Sequence, residues 1–153
     1  MLNQRLKLVI FDLDGTLLDA YPAITKSFNY VMRRLKYPLQ SPSIIRRAVG
    51  RGDEGLLKPF LKPQDLKKAV SLYRAHHAQA LLRGSRLYPK AKQLLSYLKN
   101  KGYKLAVASN RPTKFSRILI RYLKLDKYFD YVLCADRIRN KKPHPQILNK
   151  ITR

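Results

Sequence analysis

The sequence predicts an α/β protein: an open parallel sheet with an all-helical segment inserted after its first strand. Three observations carry this. A short apolar run, Leu8–Phe11, ends in an acid and a glycine turn. A stretch of about 65 residues follows with helical spacing only. Beyond it helix, strand, helix and strand alternate, the pattern of parallel strands joined by crossovers.

The elements follow in order. Leu8, Val9, Ile10 and Phe11 are β-formers in a continuous run, so 7–12 reads as a buried strand. Asp14-Gly15-Thr16 is a turn signal. Ile24, Phe28, Val31, Met32 and Leu35 fall at helical spacing, and Pro22 suits a first turn, which predicts a helix over 22–35. Pro38 and Pro42 mark a loop, followed by a short helix over 43–49 that stops at Gly50. Leu66, Val70, Tyr73, His77, Ala80 and Leu81 share one side of a helix over 63–82, closed by Gly84. His77 therefore belongs to the packed face and His76 to solvent. A helix over 90–101, a strand over 103–109, a helix over 113–123 and a strand over 131–134 follow, and a last helix starts near Pro145. The core is expected over 1–18 and 85–153, the helical insert over 19–84.

Composition excludes several classes. The chain has 153 residues, long enough for a core without covalent staples. One cysteine, Cys134, rules out an intrachain disulfide and a thiolate zinc cluster. No run approaches the roughly 18 apolar residues of a membrane span, and the N-terminus lacks the features of a secretory signal. A cytoplasmic address is the expectation, with no membrane partner. The 33 Lys+Arg against 9 Asp+Glu leave a net charge of +24. No basic run exceeds a pair, and the stripe Lys114, Arg117, Arg121 and Lys124 lies opposite Phe115, Ile118 and Leu119, as a solvated helix face would. Such a charge suits salt-sensitive, non-specific adhesion to polyanions. No nucleic-acid recognition motif accompanies it, so specific nucleic-acid binding is not expected.

The acids are informative because they are few. Of nine, three (Asp12, Asp14 and Asp19) fall within eight residues. In Phe11-Asp12-Leu13-Asp14-Gly15-Thr16-Leu17, two carboxylates stand at positions i and i+2 after an apolar strand. That pattern suits phosphoryl transfer: one carboxylate can attack phosphorus, and the other can protonate the leaving oxygen and then activate water. A divalent metal such as Mg²⁺ would offset the repulsion between carboxylates and phosphate. Gly15 permits the sharp turn.

This string resembles the first motif of the haloacid dehalogenase superfamily, and the layout is similar to its phosphoglycolate phosphatase-like members with a helical cap. The resemblance implies a Rossmann-like core and a phosphatase acting on a small phosphorylated metabolite through an aspartyl-phosphate. It makes Asp12 the nucleophile and Asp14 the general acid/base, with Mg²⁺ held by the Asp12 carboxylate and the Asp14 carbonyl. Ser109, at the end of the next strand in Leu105-Ala106-Val107-Ala108-Ser109-Asn110-Arg111-Pro112, would bond the phosphoryl group, with the Asn110 amide assisting. Lys142, in Lys142-Pro143-His144-Pro145, would offset phosphate charge and hold the nucleophile. Thr16, in the first motif, is expected to bind substrate. Gly50 and Arg51 resemble the family's cap loop, and Arg51 would meet a second anionic group. A helix end with a solvated Arg is the other reading of that loop.

The family's fourth motif, Gly-Asp followed by a further Asp, has no counterpart before Arg153. The chain is accordingly expected to be C-terminally truncated relative to the family, with an unfinished core. Two rivals stay open: a sugar-phosphate mutase of the same fold, and a non-catalytic remnant that binds phosphate or polyanions. Oligomeric state is also open.

Overall fold

The computed structural model describes residues 7–153. Residues 1–6, which belong to the expected first core segment and to the N-terminal reading, lie outside the described residues.

Strand β1 (Leu8–Phe11) pairs in parallel with β4 (Lys104–Ser109), and β4 pairs in parallel with β5 (Tyr131–Cys134). The order is β1-β4-β5, so β1 is an edge strand among the described residues. Phe11 lies opposite Val107, and Ser109 opposite Cys134. Because the strands are parallel, their carboxyl ends share one edge, where Asp12 and Ser109 emerge.

Alternation along β4 divides the interior. Leu105 and Val107 join the main apolar core with Phe115 and Leu119 of α6 (Thr113–Tyr122). Ala108 points to the opposite face, where it meets Leu133 and Ile147, the latter from α7 (Gln146–Ile151). Period-two alternation makes each strand serve both faces.

The helical insert leaves and returns through a small ribbon that the sequence reading did not anticipate. Strand β2 (Leu18–Asp19) pairs antiparallel with β3 (Arg86–Leu87). Two-residue strands carry too little pattern to be read from sequence. Between them run α1 (Tyr21–Arg34), α2 (Pro42–Ala48), α3 (Gly52–Leu57) and α4 (Leu66–Gly84). Helix α1 buries Ile24, Phe28, Val31 and Met32 against α4, which contributes Val70, Tyr73, Ala80 and Leu81. At Gly84 a Cβ would stand 3.0 Å from the Ala23 nitrogen, so the absent side chain lets the two helices meet at the ribbon.

Several boundaries moved. Helix α2 starts one residue earlier than expected: Ser41 Oγ accepts from the Ile44 N–H at 3.4 Å, and Pro42 occupies the first turn. Helix α3 was not expected, because its six residues hold two glycines and too little length for a period; burial of Leu56 and Leu57 holds it. The long helix opens with a 3₁₀ turn at Pro63–Asp65 and runs through Gly84, with Ser85 at its end. Helix α5 spans Ala91–Asn100. No helix among the described residues is long and apolar enough to cross a membrane.

Candidate active site

The first motif forms a loop closed on itself. The Leu13 carbonyl accepts from the N–H groups of Thr16, Leu17 and Leu18 at 3.0–3.2 Å. Gly15 sits at φ +78°, and a Cβ there would lie 2.7 Å from the Tyr21 hydroxyl. This tight turn brings the Asp12 and Asp14 side chains to one cavity at the carboxyl edge of the sheet.

The cavity has a volume of about 250 Å³. Asp12, Asp14, Ser109, Asn110 and Lys142 line it from the sheet side, and Gly50, Gly52, Asp53 and Tyr73 from the insert. Six of the eight sequence-predicted site residues are therefore brought together. Lys142 Nζ lies 3.0 Å from Asp12 Oδ2 and donates to the Ala108 carbonyl at 2.9 Å. Asp12 Oδ1 accepts from the adjacent Leu13 N–H at 2.8 Å. Ser109 is buried and its Oγ accepts from the Arg111 N–H at 3.2 Å.

Two expected members stand elsewhere. Thr16 is exposed on the outside of the turn and does not line the cavity. Arg51 is exposed and borders a separate depression with Arg47, Pro59 and Phe60. Gly50 at φ +108° and Gly52 at φ +75° turn the backbone so that the loop, rather than the Arg51 side chain, faces the cavity. A Cβ on Gly52 would meet the Asn110 carbonyl and Lys141 Nζ, each at 3.4 Å.

Asn110 lines the cavity and also ties its walls together. Its side chain is spent on backbone: Nδ2 donates to the Gly50 carbonyl at 2.6 Å and to the Lys142 carbonyl at 2.9 Å, and Oδ1 accepts from the Lys142 N–H at 2.9 Å. One buried amide thus joins the insert loop, the end of β4 and the Lys142 segment.

The residue that sequence reasoning passed over is Arg111. It is 7% exposed and makes a two-pronged ion pair with Asp14, Nε to Oδ2 at 2.9 Å and Nη2 to Oδ1 at 2.6 Å. Nη1 donates to His77 Nε2 at 2.7 Å. Burial pulls the guanidinium pKa down, but the charge of Asp14 and its hydrogen bonds outweigh that and hold it above its ordinary value. His77 is pushed down to about 2, first by burial and then by Arg111, so it is neutral at physiological pH. Burial raises the Tyr73 hydroxyl beside it. The available signal for Arg111 was its position, two residues after Ser109 in the turn at a strand's carboxyl end, where open parallel sheets bind ligands.

The oxygens present suit a hard cation. Mg²⁺ takes one or two carboxylates together with phosphate oxygens and waters. The Asp12 carboxylate, its side chain 39% exposed, and the Asp14 backbone carbonyl are the groups that could hold it. No cluster of three or more His, Cys, Asp or Glu side chains is placed for a metal among the described residues. Among the described residues, a magnesium here would draw on these two protein oxygens, together with substrate and water.

A parallel sheet with paired acids, a serine and a lysine at its carboxyl edge defines a hydrolase-type α/β site. The comparisons agree with that class. Residues 9–153 match the family model described as haloacid dehalogenase-like hydrolase, and the chain belongs to that family. It is 33% identical over 153 aligned residues to a phosphoglycolate phosphatase of Nitrosococcus oceani, covering 95% of this chain and 68% of that one. It is 35% identical to a phosphoglycolate phosphatase of Vibrio parahaemolyticus, covering 97% and 70%. Among solved structures, a protein described as a predicted phosphoglycolate phosphatase from Haemophilus somnus superposes with a TM-score of 0.88 at 28% identity. That superposition covers 95% of this chain and 70% of the other.

Proposed function

We propose that this chain is a cytoplasmic phosphatase that hydrolyses a small phosphomonoester through an aspartyl-phosphate on Asp12. The convergence of Asp12, Ser109, Lys142 and Asp14 on one cavity of about 250 Å³ carries the reading. Residues 19–84 act as a cap over that cavity, since the insert supplies Gly50, Asp53 and Tyr73 to its wall. The relatives' names put phosphoglycolate first among candidate substrates.

In the first step an Asp12 carboxylate oxygen attacks phosphorus, the bond from phosphorus to the leaving oxygen breaks, and that oxygen takes a proton from the Asp14 carboxyl. In the second, a water oxygen attacks the same phosphorus and gives its proton to the Asp14 carboxylate. The bond from phosphorus to Asp12 then breaks and inorganic phosphate leaves. Splitting hydrolysis this way replaces one hard displacement by two easier ones. Lys142 balances negative charge on Asp12 and phosphate, and Ser109 Oγ donates to a phosphoryl oxygen. Bound Mg²⁺, held by Asp12 and the Asp14 carbonyl, would neutralise charge on the transferring phosphoryl group.

The test is phosphate release from phosphoglycolate and p-nitrophenyl phosphate with saturating Mg²⁺. Turnover that Asp12→Asn abolishes is expected. Turnover retained in that variant would overturn the covalent mechanism. An inactive parent that still binds inorganic phosphate would favour the non-catalytic reading.

A further inference from the structure

His77 and Arg111 form a strut from the insert to Asp14. Arg111 has donors only, so at the 2.7 Å contact His77 Nε2 is the acceptor. The imidazole proton must then sit on Nδ1, which lies 3.0 Å from Ser27 Oγ and donates to it. Ser27 Oγ in turn lies 3.0 Å from His76 Nδ1, whose ring stacks on Tyr30 at 4.3 Å. The chain of contacts runs from Asp14 in the core to the side of α1 and α4. Stacking of Tyr73 on His77 at 4.6 Å and the edge contact of Phe115 at 5.2 Å fix the imidazole plane. The guanidinium is thus held from two sides: one fork takes both Asp14 oxygens and the remaining nitrogen is tied to α4.

We propose that Arg111 is the positioning residue for the proton-transferring carboxylate Asp14, and that His77 of the insert holds Arg111 in place. This rests on the phosphatase reading above. A carboxylate on a flexible stem loses much of its value as a proton donor if it can turn away. Both Asp14 oxygens engage one rigid fork, so the side chain has a single orientation facing the cavity. Lysine could not replace this, because a single ammonium spans neither both Asp14 oxygens nor the distance to His77.

The experiment compares leaving groups. An alkyl phosphate needs a proton at its leaving oxygen, whereas p-nitrophenolate leaves largely unaided. With Arg111→Met, kcat/KM for an alkyl phosphate should fall on the order of 10²-fold, the usual worth of a general acid. The fall for p-nitrophenyl phosphate should be at least tenfold smaller. Arg111→Lys and His77→Gln should show the same bias with smaller losses. Equal losses on both substrates, or none, would overturn the proposal, because a purely structural role does not discriminate between leaving groups. A second reading needs no turnover and no correctly folded variant. In the parent at pH 7, long-range ¹H–¹⁵N spectra should show His77 as the Nδ1–H tautomer with Nε2 unprotonated. An Nε2–H or doubly protonated ring would break the strut and sink the inference. If the parent turns over neither substrate, the phosphatase reading fails, and the tautomer still decides whether the strut exists.

Discussion

Replacing Asn110 by alanine removes one side chain and three hydrogen bonds. The bonds go to the Gly50 carbonyl, the Lys142 carbonyl and the Lys142 N–H, at 2.6, 2.9 and 2.9 Å. Each is worth about 1 kcal/mol net, and the sum would be about 3 kcal/mol. Gly50 is exposed, so its carbonyl finds water when the amide is gone. Lys142 is half-buried and its backbone groups are less easily rehydrated. The expected loss is therefore about 2 kcal/mol, which for a chain of this size lowers Tm by about 4–8 °C. Urea unfolding followed by circular dichroism measures the first quantity and a thermal scan the second. Activity should fall further than stability suggests. The same bonds fix the segment that aims Lys142 Nζ at Asp12, and small misplacements of a reacting array cost rate steeply. Asn110→Asp keeps the acceptor for the Lys142 N–H but loses both donors and faces two carbonyls with a charge. It should be at least as unstable as the alanine variant. A shift under about 0.5 kcal/mol in Asn110→Ala, the range of an ordinary surface change, would refute this account of the residue.

Two further predictions concern pH. His77 has a folded pKa near 2 against an ordinary imidazole in the unfolded chain, so below about pH 6.5 only the unfolded state takes up the proton. Stability should fall by up to about 2 kcal/mol between pH 7 and pH 5, and most of that dependence should vanish in His77→Gln. An identical pH dependence in both proteins would show that His77 is not the group responsible. Asp130 is held down to about 2, chiefly by the Leu105 N–H and then by Lys99 and Lys104. Its contribution is complete above the unfolded carboxylate range and is lost as pH falls from about 4 towards 2. The stability gap between the parent and Asp130→Asn should be largest at neutral pH and close near pH 2; a gap independent of pH would contradict the assignment.

What could be read from the chain followed how local the determinant is. Strand β1 and the paired acids lie within seven consecutive residues, Leu8–Asp14, and the strand-turn geometry needs nothing from elsewhere to put both carboxylates at one sheet edge. Ser109 was legible for the same reason, as the last residue of an apolar strand. Helices α1, α4, α5 and α6 announce themselves by period, because each buries one face. Helix α3 and the β2–β3 ribbon do not, being too short for a period to form.

The cations were a harder problem. With 33 lysines and arginines, residue type alone cannot say which guanidinium or ammonium enters the site. Arg51 sits in a loop that reaches the cavity, yet its side chain is turned away by the backbone at Gly50 and Gly52. Arg111 pairs with an acid 97 positions distant, and with a histidine 34 positions away on a helix of the insert. A buried guanidinium is tolerated only where a carboxylate meets it, and that meeting exists only after the insert has packed on the sheet. The sequence by itself determined the α/β order and the two acids that suit phosphoryl chemistry, through local pattern. Only the tertiary structure decided which of many equivalent charges became part of the site, because pairing and burial are properties of the folded chain.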